Sequence, residues 1–196
     1  MRSLRIAGMI VALAVGSVTN GQAQSFDLDS SHAQVGFTVQ HFGVSYLRGW
    51  FGDVSGSLEY SEDPSKMSVE IVIKTASLIT SFPTRTEHAM SENFLGVEEA
   101  PEITFKSTSI AKKGDHMMVT GDLTIRGTTK EVVFPFTTLG PRPGPFGNTR
   151  FGVTGGLEIN RLEYGVPFDR KMKDGVPMVG EKVEIDLSVE FVQKKD

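Results

Sequence analysis

The chain has 196 residues, a formal net charge of −4 and no cysteine. The lack of cysteine excludes disulfides, thiol catalysis, cysteine-ligated iron–sulfur clusters and zinc ribbons. A length of this order favours one domain with its own core, and the acidic balance disfavours nucleic acid and anionic membrane surfaces as partners.

The N-terminal segment predicts export. Arg2 and Arg5 precede an apolar run over residues 6–18 that is too short to span a bilayer comfortably. Gly21 and Ala23 place small residues at the two positions that a signal peptidase reads. We predict a signal peptide over residues 1–23 and a mature domain over residues 24–196, secreted into a bacterial periplasm. Cleavage changes the formal charge from −4 to −6 and leaves no integral membrane segment.

The first part of the mature domain alternates apolar and polar residues. The apolar residues that share one face are Val35, Phe37 and Val39 in one segment and Val69, Ile71 and Ile73 in the next. This period of two predicts strands with one buried face and one wet face.

Residues 84–95 break the β pattern and predict a short helix. Thr84 with Glu87 fits a capping box, and Pro83 precedes them. Arg85 and His88 lie three residues apart and would share one face of the helix. The apolar side chains that could cover the end of a barrel are Met90, Phe94 and Leu95. A helical lid over one mouth follows from this pattern.

The alternation returns after this segment. Val119, Leu123 and Ile125 lie on one face before an Arg126-Gly127-Thr128 turn, which predicts a hairpin. Further one-faced residues are Ile103 and Phe105, Phe134 and Phe136, Phe151, Val153, Leu157 and Ile159, and Val183, Ile185, Leu187, Val189 and Phe191. We interpret residues 140–145 as a surface loop because of their proline and glycine content. Many strands of similar spacing predict an all-β sandwich or a closed barrel.

Several ordered motifs resemble one known family. They are Ser31-His32, residues 35–43, Arg48-Gly49-Trp50-Phe51, residues 54–56, Ala76-Ser77-Leu78, Arg85-x-x-His88, Asn93-Phe94, residues 101–108, residues 120–130, Ile159-Asn160-Arg161 and Tyr164-Gly165-Val166. In this combination and order the chain resembles the YceI-like family of periplasmic, lipocalin-like polyisoprenoid-binding proteins, over nearly all of the mature domain. The chain departs from the usual family motif at Thr86, Ala89 and Leu95-Gly96, which all belong to the proposed lid.

The resemblance implies an eight-stranded antiparallel barrel with a short helix capping one mouth, and an elongated apolar pocket for a long isoprenoid or similar lipid. It implies binding without catalysis. The residues expected to form the apolar lining are Val35, Phe37, Val39, Ile71, Ile73, Phe105, Leu123, Ile125, Phe134, Phe136, Phe151 and Val153. Any one of these taken singly is more often plain core; the resemblance shifts the set toward a lined pocket.

Polar and aromatic residues are expected at the mouth or the lipid head group. They are His41, Trp50, Arg85, His88, Phe94, Arg126 and Arg161. Each has a structural alternative. A histidine on an apolar face is more often a hydrogen-bonded core residue, and Trp50 could be a hydrophobic plug. Arg126 and Arg161 could tie loops or pair with acids such as Asp122 or Glu163.

Catalysis is not expected. Ser31 and His32 lie near Asp27 and Asp29, but adjacent residues of a strand point to opposite faces, and no G-x-S-x-G elbow exists. The four histidines show no paired metal-ligand spacing. We therefore expect no catalytic residue, no metal and no catalytic cofactor, with an isoprenoid lipid as the bound ligand.

The sequence leaves two functions open. The first is non-catalytic periplasmic binding, storage or transport of a polyprenyl or isoprenoid-quinone lipid, with a homodimer suggested by the family. The second is a structural or protein-interaction β module with a filled core. The interior discriminates them, because only the first needs a continuous cavity.

Overall fold

The computed structural model describes residues 24–145 and 147–194. The predicted signal peptide lies outside the described residues, so cleavage after Ala23 stays a prediction. The strands are β1 (Gln24–His41), β2 (Ser45–Phe51), β3 (Val54–Tyr60), β4 (Ser68–Lys74), β5 (Leu78–Thr80), β6 (Glu102–Lys113), β7 (His116–Ile125), β8 (Thr128–Pro143), β9 (Thr149–Asn160) and β10 (Val179–Gln193). The α-helix α1 spans Pro83–Met90, and short 3-10 turns cover Pro64–Lys66, Thr75–Ser77 and Arg161–Tyr164.

The ten strands occupy eight positions of a closed antiparallel barrel. The start of β1 pairs with β3 and its end pairs with β2, so β2 and β3 are one strand broken at residues 52–53. In the same way β4 pairs with β3 and β5 pairs with β2. The remaining strands follow in sequence order, and β10 pairs with β1 to close the sheet. The expected eight-stranded barrel is confirmed, and closure removes the free edges that promote aggregation.

The β7–β8 hairpin forms as its alternation predicts. Ile125 pairs with Thr128, and the two residues between them, Arg126 and Gly127, have φ angles of 50° and 73°. Positive φ at both central residues is typical of a type I′ turn, which matches the right-handed twist of the flanking strands. Val119, Leu123 and Ile125 are all buried on the inner face.

The expected short helix forms, but its predicted end and cap are wrong, and so are the bounds of one loop. The helix ends at Met90, well before Leu95, and Phe82 occupies its N-cap position without a side-chain bond, so the Thr84–Glu87 capping box does not form. Pro83 begins the helix because a proline loses nothing at this first position. The expected surface loop over residues 140–145 is also shorter, since β8 continues through Pro143.

One end of the barrel is filled by aromatic side chains. Phe26, Phe151 and Phe191 are at most 1% exposed, and Tyr60 packs against the first two with ring centroids 6.2 and 5.1 Å away. We call this end the closed end and define it by these four residues. The opposite end, where β1 and β9 finish and β10 begins, is the mouth. Among the described residues, no helix has the length and apolar character needed to cross a membrane.

Candidate functional site

A cavity of about 670 Å³ runs inside the barrel toward the mouth. Aliphatic and aromatic side chains from β1, β4, β6, β7, β8, β9 and β10 form its walls. The strand alternation that places them inward also sends their polar neighbours to solvent. A volume of this order is typical of a site for one slender ligand.

Two inward-facing glycines leave room for phenyl rings along the wall. A Cβ atom at Gly49 would lie 2.7 Å from the ring of Phe37, and one at Gly121 would lie 2.6 Å from the ring of Phe105. No side chain tolerates such a contact, so each ring occupies the space over a neighbouring strand's glycine. The rings therefore lie against the wall, which keeps the lumen open.

Aromatic side chains from two loops meet at the mouth. Phe94, which follows α1, stacks on Phe168 with ring centroids 4.8 Å apart and an interplanar angle of 21°. His88 of α1 contacts both rings edge-on, at 5.0 and 6.1 Å. All three side chains line the cavity. We call His88, Phe94 and Phe168 the aromatic latch, because they join the helical side of the mouth to the opposite loop.

Hydrogen bonds hold the helical side of the mouth in place. Arg126 donates from Nη1 to the backbone carbonyl of Phe94 at 2.8 Å. The Thr86 hydroxyl lies 2.8 Å from that of Thr80 and so docks α1 on β5. Buried Thr75 donates to the carbonyl of Ala100 at 2.7 Å, where the lid segment returns to β6. The two residues of α1 that depart from the usual family motif have separate roles. Thr86 docks the helix on β5, and Ala89 lines the cavity.

Arg161 is a buried cation in the cavity wall, only 5% exposed. Its guanidinium donates to the carbonyls of Gly180, Val179 and Val166 at 2.7, 2.9 and 3.2 Å. Burial lowers the pKa of Arg161 from its usual value, while the charges of Asp169 and Glu181 oppose that shift. Of the two structural alternatives for this arginine, it ties loops through backbone carbonyls and does not pair with an acid. Glu163 pairs with Lys130 instead.

Nine of the twelve residues expected in the apolar lining face the cavity. They are Val35, Phe37, Val39, Ile71, Ile73, Phe105, Leu123, Ile125 and Phe134. Phe136, Phe151 and Val153 share the inner face but are not among the cavity-lining residues, and they pack toward the closed end. Alternation reports the face of a strand and not the depth along the barrel, so it does not separate these three residues from the nine that line the cavity.

Five of the seven residues expected at the mouth line the cavity. They are His41, Arg85, His88, Phe94 and Arg161. Trp50 does not, because it lies on the outer face of β2 opposite Ile79 of β5 and is 41% exposed. Arg126 does not line the cavity either, and it acts on the mouth through Phe94. Whether a ligand touches any of these residues stays a prediction.

Sequence reasoning missed several cavity-lining residues. Phe168, Met178 and Val166 come from the segment between β9 and β10, which has no periodicity to mark it. Tyr164 and Val166 belong to a family motif, but the motif does not mark them as lining residues. Tyr164 is 2% exposed in the wall, where burial raises its pKa. It therefore stays a neutral phenol and a hydrogen-bond donor at neutral pH. The inward residues of β10 were visible in the alternation and could have been assigned to the lining.

A polar cluster lies on the outer surface near the closed end. The register of β1 and β10 shifts between Leu28 and Ala33, so Ser31 and His32 do not point to opposite faces as expected. Asp29 and the Ser31 hydroxyl both lie 3.0 Å from Nδ1 of His32. One ring nitrogen thus makes both contacts, whereas a catalytic relay needs the acid and the serine on different nitrogens.

A carboxylate of β10 completes this cluster. Asp29, His32 and Glu190 lie close enough to share a cation. Arg150 already fills that role, since its Nη1 lies 3.0 Å from Asp29 and 2.9 Å from Glu190. The cluster is therefore an ion-pair network that ties β1, β9 and β10 together.

Comparison with known proteins agrees with this architecture. The family model described as the YceI-like domain matches residues 26–191. The UPF0312 protein PA0423 of Pseudomonas aeruginosa is 34% identical over 192 residues, which cover 94% of this chain and 97% of that protein. Protein YceI of Salmonella heidelberg is 35% identical over 170 residues, or 86% of each chain.

Solved structures share the fold. Burkholderia cenocepacia BcnA superposes with a TM-score of 0.73 at 21% identity, covering 83% of this chain and 98% of that one. A polyisoprenoid binding domain from Saccharophagus degradans superposes with a TM-score of 0.65 at 14% identity, covering 87% and 99%. With the family model matched over almost the whole barrel and relatives above 30% identity, the chain belongs to the YceI-like family.

Proposed function

We propose that this protein binds one long-chain isoprenoid lipid, of the polyprenyl or isoprenoid-quinone type, and holds it in the periplasm without chemical change. The observation that carries the proposal is the cavity, which is apolar along the barrel and meets polar side chains at the mouth. The apolar interior suits a lipid tail, and the polar side chains at the mouth suit its head group. The relationship to a polyisoprenoid binding domain supports the same ligand class.

The tail supplies most of the affinity in this scheme. Each methylene removed from water contributes roughly 0.8 kcal/mol. A hydrogen bond to a charged group contributes about 1.5 to 3 kcal/mol. Burial of a few isoprene units therefore contributes more binding free energy than any single polar contact. The tail sets the affinity, and the polar residues at the mouth set the preference among head groups.

The aromatic latch gives the ligand a route. Phe94 and Phe168 contact each other across the mouth, so a tail enters or leaves when this contact opens. A stacked pair contributes about 0.5 to 1.5 kcal/mol beyond its buried area, which is small enough to open on thermal fluctuation. Transfer to and from other lipid carriers or membranes is compatible with such a latch.

The alternative function, an interaction module, is less well supported. Such a module needs a filled core, whereas here the rings of Phe37 and Phe105 lie over Gly49 and Gly121 and the lumen stays open. A non-enzymatic role is supported by the cluster of Asp29, Ser31 and His32, whose hydrogen bonds do not form a relay.

Native mass spectrometry of the protein, purified without detergent from a periplasmic extract, tests the proposal. We expect a complex with one ligand per chain and, after denaturation, a released mass with a long prenyl chain. Recovery from the periplasmic fraction tests the location at the same time. An unliganded protein that also rejects added long-chain isoprenoids would contradict the proposal and favour the interaction module.

A glycine variant links that result to the cavity. In Gly121→Ala the new methyl group would lie 2.5 Å from the backbone carbonyl oxygen of Lys106 and 2.6 Å from the Phe105 ring. Both β6 and the ring must then shift toward the lumen, so we expect the copurified lipid in the folded fraction to fall. Gly127→Ala serves as the control for adding a methyl group, since no atom lies within 4 Å of a Cβ at that turn. Its positive φ costs some stability, and the ligand content should stay unchanged in the folded fraction.

A further inference from the structure

Exposed apolar side chains are concentrated on one flank of the barrel. Among residues 24–145 and 147–194, seven large apolar or aromatic side chains are exposed, and two of these, Val133 and Leu139, lie on β8. The other five lie on β2, on β5 or in the turns beside them; they are Val44, Tyr46, Trp50, Ile79 and Phe82. Such a cluster on an outer surface marks an interaction site, whereas single exposed residues do not. We call these five residues, together with Arg48, the β2–β5 flank.

The strand register brings the members of the flank together. Tyr46, Arg48 and Trp50 are exposed on the outer face of β2, because the residues between them point into the barrel. Trp50 pairs with Ile79 of β5, so their side chains are neighbours on that face. The flank is thus a strip of two aromatic rings and an isoleucine with one cation in its middle.

The flank is continuous with the mouth of the cavity. Val44, in the turn between β1 and β2, is the most exposed of the five apolar residues. Phe82, the N-cap residue of α1, is 58% exposed and also lines the cavity. The inner apolar surface and the outer one therefore meet at Phe82.

Cations outnumber acids where the flank reaches the mouth. The loop before β10 lies against the β1–β2 turn, since the N–H of Phe42 donates to the carbonyl of Met178 at 3.0 Å. With Arg48, the exposed charges here are four cations and two acids, namely Arg48, Arg170, Lys171, Lys173, Asp169 and Asp174. The whole chain has the opposite balance, 20 lysines and arginines against 24 acids. Within the described residues none of these four cations forms an ion pair.

We propose that the β2–β5 flank docks the protein on the surface of a phospholipid bilayer that contains anionic lipids. Tryptophan and tyrosine rings are typical of the boundary between acyl chains and head groups, which suits their apolar body and polar tip. The four cations attract the phosphate groups of the lipids. Docking places the mouth of the cavity against the membrane. The inference goes beyond the proposed function, because it concerns the outer surface and is measured with an empty cavity.

A second copy of the chain fits this flank less well. A twofold contact places the same residues on both sides. Two Arg48 guanidinium groups would then enter an apolar contact without a carboxylate, since Glu184 and Asp186 of β10 are separated from β2 by β1. Burial of an unpaired charge is strongly unfavourable. At a bilayer surface, the long side chain of Arg48 instead reaches the phosphate oxygens while its stem lies along apolar atoms.

Trp50 makes the proposal directly measurable, because it is the only tryptophan of the chain. The purified protein, stripped of lipid, is mixed with vesicles of equal parts phosphatidylethanolamine and phosphatidylglycerol, with and without bromine on the acyl chains. We expect the tryptophan emission to move to shorter wavelength and to fall by about half or more with brominated chains, as insertion at the acyl boundary implies. Flotation of the protein with the vesicles is the second readout.

Variants assign docking to the flank. Val44→Ser combined with Tyr46→Ser removes two exposed apolar side chains that do not line the cavity, and it should weaken vesicle binding by about tenfold or more. Arg48→Gln should weaken it by about threefold to fivefold. Leu139→Ser removes an exposed apolar side chain from β8 and should change nothing. Native mass spectrometry of the double variant should show an unchanged lipid content, which confirms that the barrel is intact.

The outcomes separate docking from lipid binding. A protein that neither floats nor is quenched overturns docking, while copurified lipid would still support the proposed function. Flotation without quenching of Trp50 means that another surface docks, and it overturns the proposal as well. So does a shift of the emission that follows protein concentration without vesicles, because a second copy then covers the flank. Quenching and flotation in a protein that rejects every isoprenoid would leave docking in place and overturn the proposed function.

Discussion

The two ends of this barrel are built from the same strand pattern and have opposite interiors. At the closed end, Phe26, Phe151 and Phe191 fill the space completely. Toward the mouth, Phe37 and Phe105 are also inward phenylalanines, yet their rings lie over glycines and leave a cavity of about 670 Å³. In this barrel, therefore, inward phenylalanines fill one end and border open space at the other, where the rings of Phe37 and Phe105 lie over glycines.

The two ends also use charge differently. Near the closed end, Arg150 is neutralised by Asp29 and Glu190, so its charge serves stability. At the mouth, Arg161 donates to backbone carbonyls and Arg85 donates to the Ser81 hydroxyl, and neither forms an ion pair among the described residues. The closed end thus holds its cation with carboxylates, whereas the mouth holds its cations with neutral oxygen acceptors.

The largest expected effect comes from emptying the closed end. Phe151→Ala should lower the free energy of unfolding by about 3 to 5 kcal/mol, because it removes a fully buried ring and leaves a void. Phe37→Ala, the matched change on the cavity wall, should cost about half as much since its ring already borders open space. Urea unfolding of ligand-free protein measures both losses. Equal losses would mean that the two ends do not differ in packing.

A polar side chain inside the cavity should abolish ligand retention. Ile125→Gln places an amide without a partner in the apolar wall, where burial of such a group costs about 1 to 3 kcal/mol. Thr124→Gln, on the outer face of the same strand, is the control. Lipid extraction and mass spectrometry of the purified variants should find lipid in the control alone. Retained lipid in Ile125→Gln would show that the ligand lies elsewhere.

The ion pairs near the closed end predict a pH dependence of stability. Bonds from Ser31, His32 and Arg150 hold the pKa of Asp29 far below its usual value of 3.8. The folded protein therefore binds this proton less readily than the unfolded chain, so the stabilisation is present above that value and is lost as the pH falls below it. Asp29→Asn should lower the free energy of unfolding by about 1 to 2 kcal/mol at neutral pH.

Urea unfolding of both proteins from neutral to acid pH checks this expectation. The difference between wild type and Asp29→Asn should be constant at neutral pH and shrink once the pH drops below 3.8. A difference that grew on acidification would contradict the assignment of the stabilisation to the ionised carboxylate.

The smallest effect concerns the aromatic latch. Phe94→Ala removes the stack on Phe168, worth about 0.5 to 1.5 kcal/mol, and should speed ligand release by about twofold to tenfold with little change in stability. Stopped-flow displacement of a fluorescent prenyl ligand measures the rate. Leu139→Ala, an exposed position on β8, is the control. An unchanged rate would place the exit route away from the latch.

Much of the fold was accessible from the residues alone. Period-two alternation identified the inward faces of β1, β4, β7, β9 and β10, and Gly127 marked the hairpin turn. These features are local, because a strand's face and a tight turn depend on neighbouring residues. The family motifs, including those around Arg85 and Arg161, added the expectation of an eight-stranded barrel with a helix over one mouth.

The tertiary structure decided which inward residues fill space and which surround it. Phe134 lines the cavity and Phe136, two residues later, does not, although both are inward residues of the same strand. Depth along the barrel follows from strand register and from what plugs each end, and both depend on partners far apart in sequence.

The same physical reason explains the mouth and the polar cluster. Trp50 faces outward because β2 pairs with β1 in one particular register. Ser31, His32 and Glu190 meet because β1 changes register between Leu28 and Ala33. Arg161 finds its carbonyls on β10, beyond a loop without periodicity. The sequence by itself determined the alternating strands, the β7–β8 turn and the all-β class, because these depend on neighbouring residues. Long-range pairing determined the cavity, the latch and the partners of each charge.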